Sequence, residues 1–157
     1  MEFPVPRMDE RESRAWRGLV GVLQLLPAAL DTELQRDAGI THFEFSVLTA
    51  LRFSPDATLP MTELATTTVA TLPRLSHVCA RLEKRGLIAR VRSDVDRRVT
   101  LVRLTGEGRR TLIHAIPEHI ATVRALVVDA LSPAQLDALA EISATITARI
   151  RPAADPA

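Results

Sequence analysis

The sequence has 157 residues, 46% of them hydrophobic, enough for one compact domain with an appendage and too few for two full domains. Its single cysteine, Cys79, excludes an internal disulfide, and no paired Cys/His spacing suggests a zinc site. The formal charge is only +1, but Thr71 to Arg110 holds eleven basic and four acidic residues, so a +7 segment sits between flanks that sum to −6 and a polyanion is expected at the centre.

Met1 to Arg17 mixes charges and two prolines and lacks the apolar run of a signal peptide. Gly18 to Leu30, the longest apolar stretch, is broken by Gln24 and Pro27 and falls short of the ~20 residues a spanning helix needs. The expectation is a cytoplasmic protein with no membrane association. Within Glu10 to Ala38, Leu19, Val22, Leu23, Leu26 and Leu30 recur at helical spacing, with Pro27 expected to kink or divide the helix and Gly39 to stop it. Thr41 caps a second helix carrying Phe43, Val47, Leu48 and Leu51, and Ser54-Pro55-Asp56 marks a turn.

Met61 to Thr66 reads as a short helix. Thr67, Thr68 and Val69 interrupt it before a second helix from Leu72 to Arg85, capped by Thr71, with Pro73 tolerated in the first turn and Gly86 as the stop. Leu87 to Arg92 and Arg98 to Leu104 alternate apolar residues with arginines around the polar turn Ser93 to Arg97, which predicts a hairpin directly after the two helices. Thr105 opens a long helix to about Ala130, interrupted at Pro117, and the capping box Ser132-Pro133-Ala134-Gln135 opens a last one to about Ile150. The fold class is mostly α with a small β-hairpin wing. A winged helix-turn-helix domain (41–104) is expected between an N-terminal dimerisation helix (1–40) and C-terminal dimerisation helices (105–151), with a frayed tail (152–157). Three long amphipathic helices cannot all cover their apolar stripes on so small a domain, so a homodimer is expected.

On a wheel of about 100° per residue, Leu72, Leu75, Val78, Cys79 and Leu82 share one arc of the second motif helix. Arg74, His77, Arg81, Lys84 and Arg85 share the opposite arc. Surface helices usually mix signs, whereas this face is basic except for Glu83, which favours contact with double-stranded DNA over a solvated face. Thr71, Pro73, Arg74, Ser76 and His77, near the helix start, suit base edges in the major groove. Arg81 and Lys84 suit phosphates. Arg97 and Arg98 stand at the hairpin tip, where an arginine steadied by Asp96 suits a narrow minor groove.

Met61-Thr62-Glu63-Leu64-Ala65, Leu72-Pro73-Arg74-Leu75-Ser76-His77, Arg81 to Ile88, Asp96-Arg97-Arg98 and Leu104-Thr105-Gly106-Glu107-Gly108 stand in the order found in the multiple-antibiotic-resistance regulators, and the chain resembles that MarR-type winged helix family over nearly its whole length. The sequence departs from it at Thr66-Thr67-Thr68, where many members carry Gly or Asn, and at Pro73. The resemblance implies a homodimeric repressor, Arg98 supported by Asp96 in the minor groove, the second motif helix in the major groove, and a small aromatic acid-like effector or an oxidised cysteine as the signal. Cys79 on the apolar arc reads as filler rather than a sensor. Trp16, Arg17, His42, Phe43 and Phe45 read as core rather than pocket.

No nucleophile with a base, glycine-rich phosphate loop or metal triad is present, so no enzyme activity and no cofactor are expected. His114 and His119 are about 140° apart on their helix and read as two solvated histidines. The competing reading is a dimeric protein-interaction adaptor that keeps the winged fold without DNA binding, which the cationic helix and hairpin disfavour.

Overall fold

The computed structural model describes residues 7–150, so the expected frayed tail (152–157) lies outside the described residues. The elements run α1 (Glu10–Ala38), α2 (His42–Arg52), β1 (Thr58–Pro60), α3 (Met61–Thr67), α4 (Leu72–Lys84), β2 (Ile88–Arg92), β3 (Thr100–Leu104), α5 (Gly106–Val123) and α6 (Pro133–Ile150). The fold is mostly helical with one small antiparallel sheet, as the residue pattern predicts.

Local chemistry sets most boundaries. Asp9 with Glu12, and Thr41 with Glu44, form reciprocal capping boxes at the starts of α1 and α2. The Thr71 side chain accepts the Arg74 amide at α4, and the Thr105 hydroxyl accepts the Gly108 amide at α5. Ser132 and Gln135 exchange backbone-to-side-chain bonds ahead of α6. Gly39 ends α1 and Gly86 follows α4, both at positive φ.

Neither proline divides its helix. Pro27 lies inside an unbroken α1 and Pro117 inside an unbroken α5. Both prolines are exposed, so water can satisfy the carbonyl each ring orphans, and the helix continues past it. Beyond Val123 the backbone instead widens into a π-helical turn, Arg124–Val128.

The sheet has order β1-β3-β2, with Leu59 opposite Val102 on one side of β3 and Arg90 opposite Val102 on the other. No residue pattern predicts β1. It is three residues long and ends in proline, so it forms only by pairing with β3, and Pro60 is tolerated because the strand is at an edge.

The core gathers Leu34, Ile40, Val47, Leu48, Leu51, Leu64, Leu75, Leu82, Ile88, Val102 and Leu112 around α4 and the sheet, and Cys79 is fully buried among them. Phe43 and Phe45 pack against this core, while Trp16 and Arg17, read as core in the sequence, are exposed. Leu104-Thr105-Gly106-Glu107-Gly108 has a steric reason. A Cβ at Gly108 would stand 2.0 Å from the Leu87 carbonyl oxygen, so only glycine lets α5 start against the strand that leads into the wing.

His119 corrects the solvated reading given to it. It is buried, its Nδ1 lies 3.1 Å from Glu33 Oε2, and its ring packs on Phe45 and His42, whereas His114 is exposed. The pair ties α1 to α5 within the unit that runs to His119; a second unit begins at Ile120. By length and composition Gly106–Val128 would suffice to cross a membrane, with a mean hydropathy of 1.2 in a window only 11% buried. His114, Glu118 and Arg124 punctuate this stretch, which is why it does not read as an apolar run in the sequence.

Candidate nucleic-acid interface

α3, the turn after it and α4 form the helix-turn-helix, and β2 and β3 with the loop between them form the wing. The turn is closed by Val69 at φ 55°, a left-handed conformation a β-branched residue rarely adopts. The position that glycine or asparagine would suit is therefore Val69, one residue beyond the threonine run.

α4 divides as the wheel predicts. Leu75, Val78, Cys79 and Leu82 are buried, but Leu72, at the first helical position, is 46% exposed. Thr71, Pro73, Arg74, Ser76, His77, Arg81 and Lys84 on α4 and its cap, and Arg97 and Arg98 in the wing, are all exposed, with Asp96 half-buried.

Several of these residues border two hollows. Ser76 and Arg98 line a hollow of about 340 Å³ between α4 and the wing, together with Met61, Thr62, Leu72 and Arg90. Arg74, His77 and Arg81 line a second hollow, of about 450 Å³, with Asp31, Thr41 and Phe43. There the Arg74 guanidinium lies 4.3 Å from the centre of the Phe43 ring, a cation–π contact.

Acidic side chains order the arginines. In the wing, Asp96 Oδ1 accepts the Arg98 amide at 2.9 Å and Arg98 Nε at 3.3 Å, and these bonds, the backbone one first, hold its carboxyl below the usual range. Arg98 is 92% exposed, so the pair adds little stability and serves instead to orient the guanidinium at the tip. The Ser93 amide donates to Val99 and the Val99 amide to Asp96, which closes a loop two residues longer than the expected turn. Glu83, the one acid on the basic face, takes both the side chain and the backbone amide of Arg90, at 2.6 to 3.0 Å, and so ties β2 to the end of α4. The Arg90 side-chain bonds, above all, hold the Glu83 carboxyl below its ordinary range.

Sequence reasoning missed Glu44. It is buried on α2, accepts from Arg81 and lies near Arg85. The signal was present: Glu44, Val47, Leu48 and Leu51 follow i, i+3, i+4, i+7 spacing, so the carboxylate falls on the core stripe, where it requires a cation. At Cys79 burial outweighs the opposing pull of Arg90 and pushes the thiol up to about 11. Among the described residues no group of three or more His, Cys, Asp or Glu could hold a metal ion.

Comparison with known proteins follows the same lines. The MarR family model matches residues 38–99, from the end of α1 into the wing loop. Sco3205 of Streptomyces coelicolor, a MarR family transcriptional regulator solved in complex with DNA, is 37% identical, with a TM-score of 0.93 over 98% of this chain and 96% of its own. AbsC, a MarR family transcriptional regulator from the same organism, is 32% identical, with a TM-score of 0.89 over 94% of this chain and 99% of its own. The transcriptional regulator HosA of Escherichia coli is 33% identical over 78 residues, a match that spans 50% of this chain and 56% of HosA.

Proposed function

The chain belongs to the MarR family of transcriptional regulators, a family of regulators rather than enzymes, and from that premise we propose that it represses transcription by binding a pseudo-palindromic operator as a homodimer. α4 enters the major groove and the wing the minor groove, with half-sites about one helical turn apart. The observation that carries this reading is the hollow shared by Ser76 and Arg98, which brings a base-reading position and a minor-groove arginine to one edge of the winged unit. Arg97, Lys84 and His77 add exposed groups around it. For Arg74 to reach a base edge it must leave Phe43, at a cost of about 0.5–1 kcal/mol.

The dimer is supported by apolar surface left uncovered on the helices at the two ends of the chain. Trp16, Val22, Leu23 and Leu25 of α1, Ile113 and Ile120 of α5, and Leu139 and Ile142 of α6 are exposed. We place a small aromatic acid-like effector in the hollow beside Phe43, where an aromatic face and the guanidiniums of Arg74 and Arg81 adjoin.

A salt titration with duplex DNA tests the reading. If six or more phosphates are neutralised, affinity falls roughly 10³-fold or more between 50 and 200 mM salt. Arg98→Ala weakens all sequences alike, whereas Ser76→Ala or Arg74→Ala relaxes base preference at roughly 1–3 kcal/mol for each base edge no longer bonded. A stable monomer with no affinity for duplex at low ionic strength overturns the proposal and favours the adaptor.

A further inference from the structure

Asp96, Glu83 and Glu44 each hold an arginine of the winged unit, but only Glu44 does so from inside the core. Its side chain is 5% exposed. Oε1 accepts from Arg81 Nε at 3.3 Å and from Arg81 Nη2 at 3.1 Å. Oε2 accepts the Thr41 backbone amide at 2.9 Å and lies 3.7 Å from Arg85 Nη1. One carboxylate therefore closes the cap of α2 and grips the last turn of α4, 37 residues further along the chain. A desolvated carboxylate is costly to leave unpaired, so Arg81 stays on it.

A guanidinium has five N–H donors in a rigid fork. Glu44 takes Nε and one hydrogen of Nη2. Nη1 and the other Nη2 hydrogen remain, on a side chain that is 47% exposed and borders the same hollow as Arg74 and His77. Arg85 stands by as a second cation, so the carboxylate keeps a partner when an anion draws on Arg81. A lysine could not serve both sides, because its point charge lacks the fork.

Building on the DNA-binding reading above, we propose that Glu44 is a positioning residue for DNA binding: it fixes the inner edge of the Arg81 guanidinium so that the outer edge meets a backbone phosphate. Because Glu44 also closes the cap of α2, it sets the register of α4 against α2 at the point where that phosphate is met.

The test uses the full chain and a mixed-sequence B-form duplex of roughly 30 base pairs, titrated by fluorescence anisotropy between about 50 and 200 mM salt, since phosphate contacts do not depend on sequence. Arg81→Ala weakens binding on the order of tenfold for each phosphate it no longer meets and lowers the salt slope by about 0.9 per phosphate. Arg81→Lys keeps the charge yet loses most of the same affinity. Glu44→Gln weakens binding several-fold with the slope unchanged, because the cation remains, and has no further effect in the Arg81→Ala background. An Arg81→Ala slope equal to wild type overturns the proposal, as does wild-type affinity in Arg81→Lys. So does tighter binding with a steeper slope in Glu44→Gln, the mark of an arginine withheld from DNA, or a Glu44→Gln effect that persists in full without Arg81. If Glu44→Gln fails to fold by circular dichroism, the two Arg81 variants decide alone. A wild-type protein that binds duplex steeply while these variants match it removes this inference and leaves the DNA-binding reading standing; one that ignores duplex at low salt removes both.

Discussion

The winged core and the terminal helices are both rich in leucine and isoleucine and treat them in opposite ways. Every buried hydrophobic residue among those described lies between Leu30 and Ala115. α6 buries none, and α1 leaves Val22, Leu23 and Leu25 exposed ahead of Leu30. An apolar stripe at helical spacing reports that a helix has something to cover; it does not report whether the cover comes from the same chain. In the core the chain covers itself, with the sheet and α4 facing α2 and α5. At the ends the stripe is complete and the cover is absent, which fits a surface reserved for a second copy.

The largest perturbation of the core side of this comparison is Gly108→Ala. Its methyl would meet the Leu87 carbonyl at 2.0 Å, and backbone cannot step aside as a side chain can. We expect a loss of about 3 kcal/mol in denaturant unfolding. Stability within about 1 kcal/mol of wild type would mean that the start of α5 is not fixed against the wing.

Ile142→Asp probes the other side. It places a charge on an exposed apolar stripe of α6 and should leave helicity by circular dichroism nearly intact, while shifting sedimentation toward monomer and cutting duplex affinity by at least about tenfold through lost bivalency. A dimer that survives this change would move the interface elsewhere.

Val69→Gly should act with the opposite sign. The left-handed backbone at this exposed turn is strained for valine and free for glycine, so a gain of up to about 1 kcal/mol is expected by thermal unfolding, even after glycine's extra unfolded-state entropy.

The smallest effect is a pH dependence through His42. Burial first, and then the neighbouring His119, lower its pKa from the ordinary 6.5. The unfolded chain then binds more protons, so this contribution is complete above about pH 6.5 and is lost as pH falls through the folded value. His42→Gln should flatten that part of the curve of melting temperature against pH.

Caps and stops were legible because they are local: Thr41, Thr71, Thr105 and Ser132 each bond an amide within three residues, and Gly39 and Gly86 adopt a backbone few other residues share. The apolar arc of α4 was legible for the same reason. What escaped depends on partners distant in the chain or on solvent. β1 exists only beside β3, His119 is buried because Glu33 of α1 and Phe45 and His42 of α2 pack on it, and α1 continues past Pro27 because that proline faces water. The positive field was visible as a sum. Glu83 was legible only as an interruption of it and Glu44, outside it on α2, was missed, because the arginines they hold are fixed by the fold.

Cys79 is the only thiol in the sequence, and it sits on the sealed side of α4. With its proton held to about pH 11, it offers almost no thiolate to an alkylating reagent at neutral pH until α4 lifts off the core. The rate of its modification is therefore a native gauge of how often this one helix detaches. Any ligand that seats α4 more firmly should slow that reaction without any label having been engineered into the protein.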